Sequence, residues 1–183
     1  VRVTKTFLPL LRQAGRGRIV NVVSRAGRFT PVGFSAYSMS KHALVSFSDG
    51  LRLDMKKWNI TVHTIEPIMY KTDLFNMDRI KADFASQWEE ASDELKTAYG
   101  KQYFDSFVDA SEKATCSYAR PHNKIHEVID DIIDAVAGEE PKICYVPSYI
   151  GKLISKMFWC LPFEVRDNIA LRLTTDVKPA AAK

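Results

Sequence analysis

Two short runs of apolar, β-branched residues bracket one long helical stripe, and that arrangement leaves few folds open to the chain. The first run, residues 18–24 (Arg-Ile-Val-Asn-Val-Val-Ser), follows Gly15 and Gly17 and leads into a loop punctuated by Gly27, Pro31 and Gly33. The second, residues 60–65 (Ile-Thr-Val-His-Thr-Ile), stops at Pro67. Near-continuous apolar character over so short a length is the pattern of a strand buried on both faces of a parallel sheet. Between the runs, Ala43, Leu44, Phe47, Leu51, Met55 and Trp58 recur at spacings of three and four, which gives a helix with one apolar face. Strand, crossover helix and strand make a right-handed βαβ unit. Ligands of such sheets bind beyond the carboxyl ends of the strands, here Ser24 and the Glu66-Pro67 region.

The flanking segments read more simply. Val3, Phe7, Leu8, Leu10 and Leu11 form a first helical stripe in which Pro9 should introduce a kink or mark a first turn. From 72 to about 119 charged residues alternate with aromatics on helical spacings, a long excursion of the kind that serves binding. Residues 127–137 give another amphipathic helix, with Val128, Ile129, Ile132, Ile133 and Val136 as its apolar face and Gly138 as its stop. A short strand at 143–146 follows. The tail from 149 to 173 is apolar and basic, and the Ala-rich last residues are expected to fray.

Composition excludes several classes. With 183 residues, 46% apolar and 26% charged, the chain fits one globular domain and not a disordered or collagen-like sequence. No apolar stretch nears the roughly 20 residues of a spanning helix. Cys116, Cys144 and Cys160 are few and in no metal-ligand spacing, so a reducing compartment is expected. A net charge of +4, with Arg12, Arg16, Arg18, Arg25 and Arg28 scattered, gives no nucleic-acid stripe; those arginines read as a solvated face or loop. His122 and His126 stand four apart but lack a third ligand, so no metal is expected. Asn59-Ile-Thr61 fits a glycosylation acceptor but opens a strand expected to be buried. Position 1 is Val and not Met, and the chain reads as a piece of a longer protein.

The chemistry centres on Tyr37-Ser-Met-Ser-Lys41 at the start of the long helix. A spacing of four puts phenol and ammonium on one helical face. A free phenol, with a pKa of about 10, is a poor base at neutral pH, and a fixed positive charge at Lys41 lowers that value toward the working range. Ser24, at the mouth of the first strand, offers a hydroxyl for a substrate oxygen. The three form a proton-transfer site suited to interconverting an alcohol and a ketone.

These residues carry a resemblance. Gly17-Arg-Ile-Val-Asn-Val-Val-Ser24-Arg-Ala-Gly-Arg, Tyr37-Ser-Met-Ser-Lys41 and Ile65-Glu-Pro67 with Thr72 are similar, in order and spacing, to the short-chain dehydrogenase/reductase family. Phe47-Ser-Asp-Gly-Leu-Arg52, Ala98-Tyr-Gly-Lys-Gln-Tyr-Phe104 and Trp159-Cys-Leu-Pro162 resemble its branch of retinol, 17-beta-hydroxysteroid and D-3-hydroxybutyrate dehydrogenases. The resemblance implies an α/β fold, the C-terminal part of a Rossmann-like doubly wound parallel sheet with a helical substrate-lid insertion. The single domain would divide into a catalytic βαβ region at 1–71, lid helices at 72–120, a last helix and strand at 127–148 and the tail at 149–183.

By the same resemblance Tyr37 is the general acid/base, Lys41 lowers its pKa and holds the nicotinamide ribose, and Ser24 orients the carbonyl. Tyr37, Lys41, Pro67, Ile68, Tyr70 and Thr72 would contact an NAD or NADP cofactor. Two departures stand out. Ile68 replaces the family's usual Gly and could crowd the cofactor. The glycine-rich phosphate turn is not in the sequence, since Gly15 and Gly17 precede a strand instead of following one. The substrate is expected to be a small apolar alcohol or carbonyl, the aromatics between Phe75 and Phe107 slightly favouring a lipid over a small acid. A homo-oligomer is expected for the full-length protein, and no nucleic acid. The tail, with Lys152 and Lys156 one turn apart, is a candidate for a membrane surface, at the endoplasmic reticulum rather than the mitochondrion. A truncated, non-catalytic fragment that dimerises through the long helix is the alternative. An unpaired strand edge would then favour aggregation.

Overall fold

The computed structural model describes residues 1–172 and 174–182; Leu173 and Lys183, at the ends of the expected tail, lie outside the described residues. The chain forms two compact units, residues 1–68 with 123–159 and residues 69–122 with 160–183.

The first unit is built on the βαβ arrangement. Helix α1 (Arg2–Gln13) leads through Gly15, at φ +65°, into strand β1 (Gly17–Val22). The helix runs on through Pro9, which only removes the N–H that would have met the Lys5 carbonyl. Gly17 has a packing reason: a Cβ there would stand 2.9 Å from Leu11 Cδ2. Helix α2 (Ser35–Met55) and strand β2 (Ile60–Ile65) follow. Strands β1 and β2 pair in parallel with Ile19 opposite Val62, and a two-residue strand β3 (Cys144–Tyr145) adds in parallel to β2. The order is β1-β2-β3.

Side-chain alternation assigns the two faces of this sheet. On one face Ile19, Ile60 and Val62 pack with Leu51 and Met55 of α2, and Leu8, Leu11 and Phe47 close the edge. On the other face helix α6 (His126–Ala137) buries Val128 and Ala135. Arg18 reaches α6 from β1, donating to the carbonyls of Ala135 and Val136. Tyr145 ties α6 to β3: its hydroxyl donates to Asp134 Oδ2 at 2.6 Å and accepts from the Lys142 N–H at 2.8 Å.

Two stripes are buried less than their periodicity suggests. The α2 stripe does not reach Trp58, because the helix ends at Met55 in a 3-10 turn closed by Asn59 at φ +54°; the ring is 42% exposed, with the Arg12 guanidinium above it. On α6 Ile129, Ile133 and Val136 face outward, because the apolar sector is wider than the surface a three-stranded sheet can cover. Strand β1 is likewise covered unevenly: Ile19 and Val23 are buried, Val22 is 49% exposed.

The second unit holds helices α3 (Met77–Glu90), α4 (Asp93–Tyr99), α5 (Lys101–Tyr118) and α8 (Phe163–Arg172). Several of its aromatics meet one another. Phe84 meets Phe107 edge-on at 5.8 Å, Trp88 stacks on Phe104 at 4.6 Å, and Tyr103 stacks on Phe107. These ring pairs link α3 to α5 within the unit. Asn76 and Ser92 cap α3 and α4, accepting from the N–H groups of Arg79 and Leu95. The Ala-rich end is tied down and not frayed: the N–H groups of Ala180 and Ala181 donate to the carbonyls of Tyr99 and Ala98. Helix α7 (Tyr149–Cys160) starts in the first unit, capped by Ser148 Oγ, which accepts from the Gly151 N–H.

Candidate active site

The carboxyl end of β1 turns sharply. Ser24, extended at φ −178°, caps a 3-10 turn (Arg25–Gly27), and its Oγ accepts the N–H of Ala26 at 3.1 Å. A hydroxyl has one donor hydrogen and two lone pairs. The Ala26 contact occupies one lone pair and leaves the hydrogen available for an oxygen outside the chain.

Glycine brings this turn against α2. A Cβ on Gly27 would lie 2.9 Å from both the Lys41 carbonyl oxygen and Val45 Cγ2. Only a residue without a side chain lets the Ser24 turn touch the helix at Lys41. On α2, Lys41 Nζ lies 5.6 Å from the centre of the Tyr37 ring, so phenol and ammonium share one face. Tyr37 is 38% exposed and its ring meets Phe34 edge-on, while Ser38 beside it is fully buried with an Oγ that finds no partner among the described residues. The Ser24 turn thus packs against α2 at Lys41, whose ammonium shares a helical face with Tyr37.

The end of β2 holds what sequence reasoning missed. Glu66 is fully buried and accepts from two arginines. Arg25 Nη1 donates to Oε2 at 2.8 Å; Arg28 donates from Nη2 to Oε1 at 2.7 Å and from Nε to both oxygens. Burial alone would push this carboxyl up; the hydrogen bonds and charge of Arg28, with Cys144 and Arg25, outweigh it and hold Glu66 below its ordinary value. The same bonds raise Arg28. Burial and the neighbouring Glu66 raise the Cys144 thiol. Arg25 and Arg28 are therefore not a solvated loop face, whereas Arg12, Arg16 and Arg18 are exposed. The available signal was positional: a carboxylate directly after a largely buried strand needs a partner, and two arginines follow the adjacent strand.

The remaining expected residues divide between the units. Pro67 and Ile68 are half-buried in the first, and the Pro67 carbonyl accepts the Arg25 N–H at 2.9 Å. Ile68 has a partner of its own. A Cβ on the fully buried Gly151 of α7 would stand 3.4 Å from Ile68 Cγ2, so the methyl group rests where α7 has no side chain. Tyr70 and Thr72 belong to the second unit. Tyr70 is 4% exposed and bridges to Arg120 in a parallel pair; Thr72 precedes a 3-10 turn (Asp73–Phe75) and accepts the Phe75 N–H on its carbonyl. A cavity of about 330 Å³ in that unit is lined in part by Thr72, Asn76, Thr115 and His122. His122 and His126 each bond a backbone carbonyl through Nδ1, of Lys71 and Asn123 respectively. Among the described residues no group of three or more His, Cys, Asp or Glu could hold a metal.

Comparison with known proteins gives a consistent set of likenesses. A family model described as short chain dehydrogenase matches residues 1–83. Retinol dehydrogenase 7 of Rattus norvegicus is 33% identical over 184 residues, covering 100% of this chain and 55% of that protein. The mitochondrial D-beta-hydroxybutyrate dehydrogenase of the same species is 33% identical over 92% of this chain and 49% of its own. The chain thus spans about half the length of the curated relatives it matches. Among solved structures, a short chain dehydrogenase/reductase from Burkholderia phymatum, in complex with NAD, aligns with a TM-score of 0.58 at 18% identity, over 96% of this chain and 56% of that one. That likeness establishes the fold.

Proposed function

The chain belongs to the short-chain dehydrogenase family, and on that premise we propose that the protein is an NAD(P)-dependent oxidoreductase interconverting an alcohol and its carbonyl on a retinoid, steroid or related lipid. The observation that carries the reading is the shared helical face of Tyr37 and Lys41, with the Ser24 turn pressed against that helix through Gly27.

The side chains suit one end of a nicotinamide dinucleotide. The Tyr37 phenol and the Lys41 ammonium, on one helical face, are a donor set for ribose hydroxyls. Nothing among the described residues suits the pyrophosphate, for which a glycine turn after a strand would be needed: Gly15 stands ahead of β1, and Gly17, its first residue, abuts Leu11. Whether NAD or NADP is taken is decided outside the residues that bear the chemistry. When bound, the cofactor supplies or accepts the hydride.

The chain's own residues handle the proton and the carbonyl. Ser24, with its hydroxyl hydrogen unspent, donates to the carbonyl oxygen. Tyr37 gives the proton that the new alkoxide needs, or takes it in the reverse direction. The Lys41 ammonium stabilises the phenolate left behind and holds the ribose. Residues 72–120 are proposed to contribute substrate contacts.

The direct test is Tyr37→Phe in the full-length protein. Turnover should fall by roughly 10²-fold or more, the range of general acid–base catalysis, while cofactor affinity by fluorescence titration changes less than about twofold. Undiminished turnover would remove Tyr37 from the mechanism. A substrate panel of retinol, a 3-hydroxysteroid and D-3-hydroxybutyrate separates the lipid reading from the hydroxybutyrate one, which the likeness to a D-beta-hydroxybutyrate dehydrogenase keeps in view. The second reading is a non-catalytic fragment. It predicts that the isolated 183 residues bind no NADH above background, and micromolar binding would overturn it.

We propose a placement inside the cell at a membrane surface, at the endoplasmic reticulum, and helix α7 supports the membrane-surface part of it. No helix of the described residues is long and apolar enough to cross a membrane. The outward arc of α7 instead carries Tyr149, Ile150, Leu153, Ile154 and Met157, all exposed, with Lys152 and Lys156 beside them and no acidic residue in the helix. Such a face suits an interface of anionic headgroups. Co-sedimentation with phosphatidylserine vesicles should drop severalfold in the Leu153→Glu, Met157→Glu double variant, and unchanged sedimentation would discard the placement.

A further inference from the structure

The buried carboxylate at the end of β2 lies between the two segments that the proposed mechanism uses. Glu66 directly precedes Pro67, and Arg25 directly follows Ser24. Arg25 is held twice by consecutive residues: its N–H donates to the Pro67 carbonyl at 2.9 Å and its guanidinium to Glu66 Oε2 at 2.8 Å. Arg28, one residue beyond the 3-10 turn, closes the other side with a fork onto the same carboxylate. The Ser24 turn is thus fastened at both ends to one side chain. That side chain is itself fixed, because the Glu66 N–H donates to the Tyr145 carbonyl at 2.7 Å and Thr64 Oγ1 approaches Oε1 at 3.4 Å.

Helix α2 supplies the third side of the arrangement. Arg28 also lies 3.9 Å from Asp49 of α2, which Arg52 holds at 2.8 Å. The turn is therefore located against β2 by Glu66 and against α2 by Gly27 and the Asp49 contact. Charge balance makes Glu66 the anchor. It is fully buried, the guanidinium side chains of Arg25 and Arg28 are 11% and 23% exposed, and among the described residues no other acidic side chain pairs with Arg25.

We propose that Glu66 is a positioning residue of the active site, setting the Ser24 hydroxyl relative to the Pro67–Ile68 segment and to helix α2 at Lys41 through Arg25 and Arg28. The kinetic side of this inference rests on the dehydrogenase reading above; the structural side does not. Two variants of the full-length protein test it. Glu66→Gln keeps the shape and removes the charge. Arg28→Lys keeps the charge and removes the planar fork, and it perturbs the fold less.

Amide hydrogen exchange is the readout independent of activity. In both variants the N–H groups of Arg25 and Ala26 should exchange at least tenfold faster, while Ile19, Val20 and Val62 in the β1–β2 ladder change by less than about twofold after matching for global stability. A merely structural ion pair would accelerate all of these amides in step, and that result overturns the proposal. In the kinetic arm kcat should fall about tenfold with little change in the KM for cofactor; a rise in KM with kcat unchanged also overturns it. If Glu66→Gln does not fold, Arg28→Lys decides by the same criteria. If the unsubstituted protein shows no turnover on any substrate, the dehydrogenase reading fails and the exchange experiment still judges the clamp.

Discussion

At the residue scale, a single missing side chain sets the geometry of the site. The Gly27 backbone sits where a Cβ would collide with the Lys41 carbonyl and Val45, so the smallest possible substitution is informative. Gly27→Ala must push the Ser24 turn off α2 or shift the helix, at about 1–3 kcal/mol as for other overpacked positions. Urea unfolding should show a lower midpoint with an unchanged slope, and an unaltered midpoint would mean that the turn yields freely. Ser24, Tyr37 and Lys41 were legible because their spacing is local: a helix face and a strand end can be counted off a sequence. Glu66, Arg25 and Arg28 were not, because their meeting depends on which strands are neighbours, and charged residues were read there as solvated by default. The effect of Ile68 was open for the same reason, since its methyl group finds Gly151 more than eighty positions away.

At the scale of elements, α1, β1, α2, β2 and α6 follow from apolar periodicity with shifts of a residue or two, whereas the burial of α2 and α6 does not. A hydrophobic stripe states which face prefers to leave water and not how much neighbouring surface exists to cover it. Helix α6 shows this, with Val128 and Ala135 buried and Ile129, Ile133 and Val136 left outside. What holds α6 to the short strand β3 is polar. The Tyr145 hydroxyl, in a residue 2% exposed, both donates to Asp134 and accepts from the Lys142 backbone. Burial and the Asp134 hydrogen bond raise this phenol, so it stays a donor well into the alkaline range. Tyr145→Phe removes the partner of the Lys142 N–H and of one Asp134 carboxylate oxygen, both in part-buried hydrogen bonds, a loss of about 1–3 kcal/mol. It should speed amide exchange in β3 and the last turns of α6 before the β1–β2 ladder responds. Uniform acceleration would show the phenol to be a general stabiliser instead of a local latch.

At the scale of the whole molecule, two carboxyls of opposite tendency govern the response to acid. Glu66 titrates below its ordinary value of 4.5 in the folded chain. The unfolded state therefore binds protons first, and the stability contributed by Glu66 is complete above about pH 4.5 and disappears as pH falls through the folded value. Asp131 behaves in reverse. Burial on the inner edge of α6, opposed by Lys152 and Lys142 and reinforced by Asp134 and Asp130, raises it above 3.8, and its Oδ2 has no hydrogen-bond partner among the described residues. Here the folded chain takes up the proton first, so the ionised carboxylate weakens the fold at neutral pH and that penalty fades on acidification. Asp131→Asn should raise stability at pH 7 and steepen its fall below pH 4.5, since the compensating protonation is gone. Glu66→Gln should do the opposite, lowering the neutral plateau by about 3 kcal/mol, as expected when a buried ion pair loses one partner, and flattening the acid limb. Urea titrations at pH 7, 5 and 4, read from amide exchange within β2, distinguish the two; parallel curves for both variants would show that neither carboxyl controls the acid limb. The prediction ties stability to the proposed chemistry, because the side chain whose protonation loosens the fold is the one that fastens the Ser24 turn.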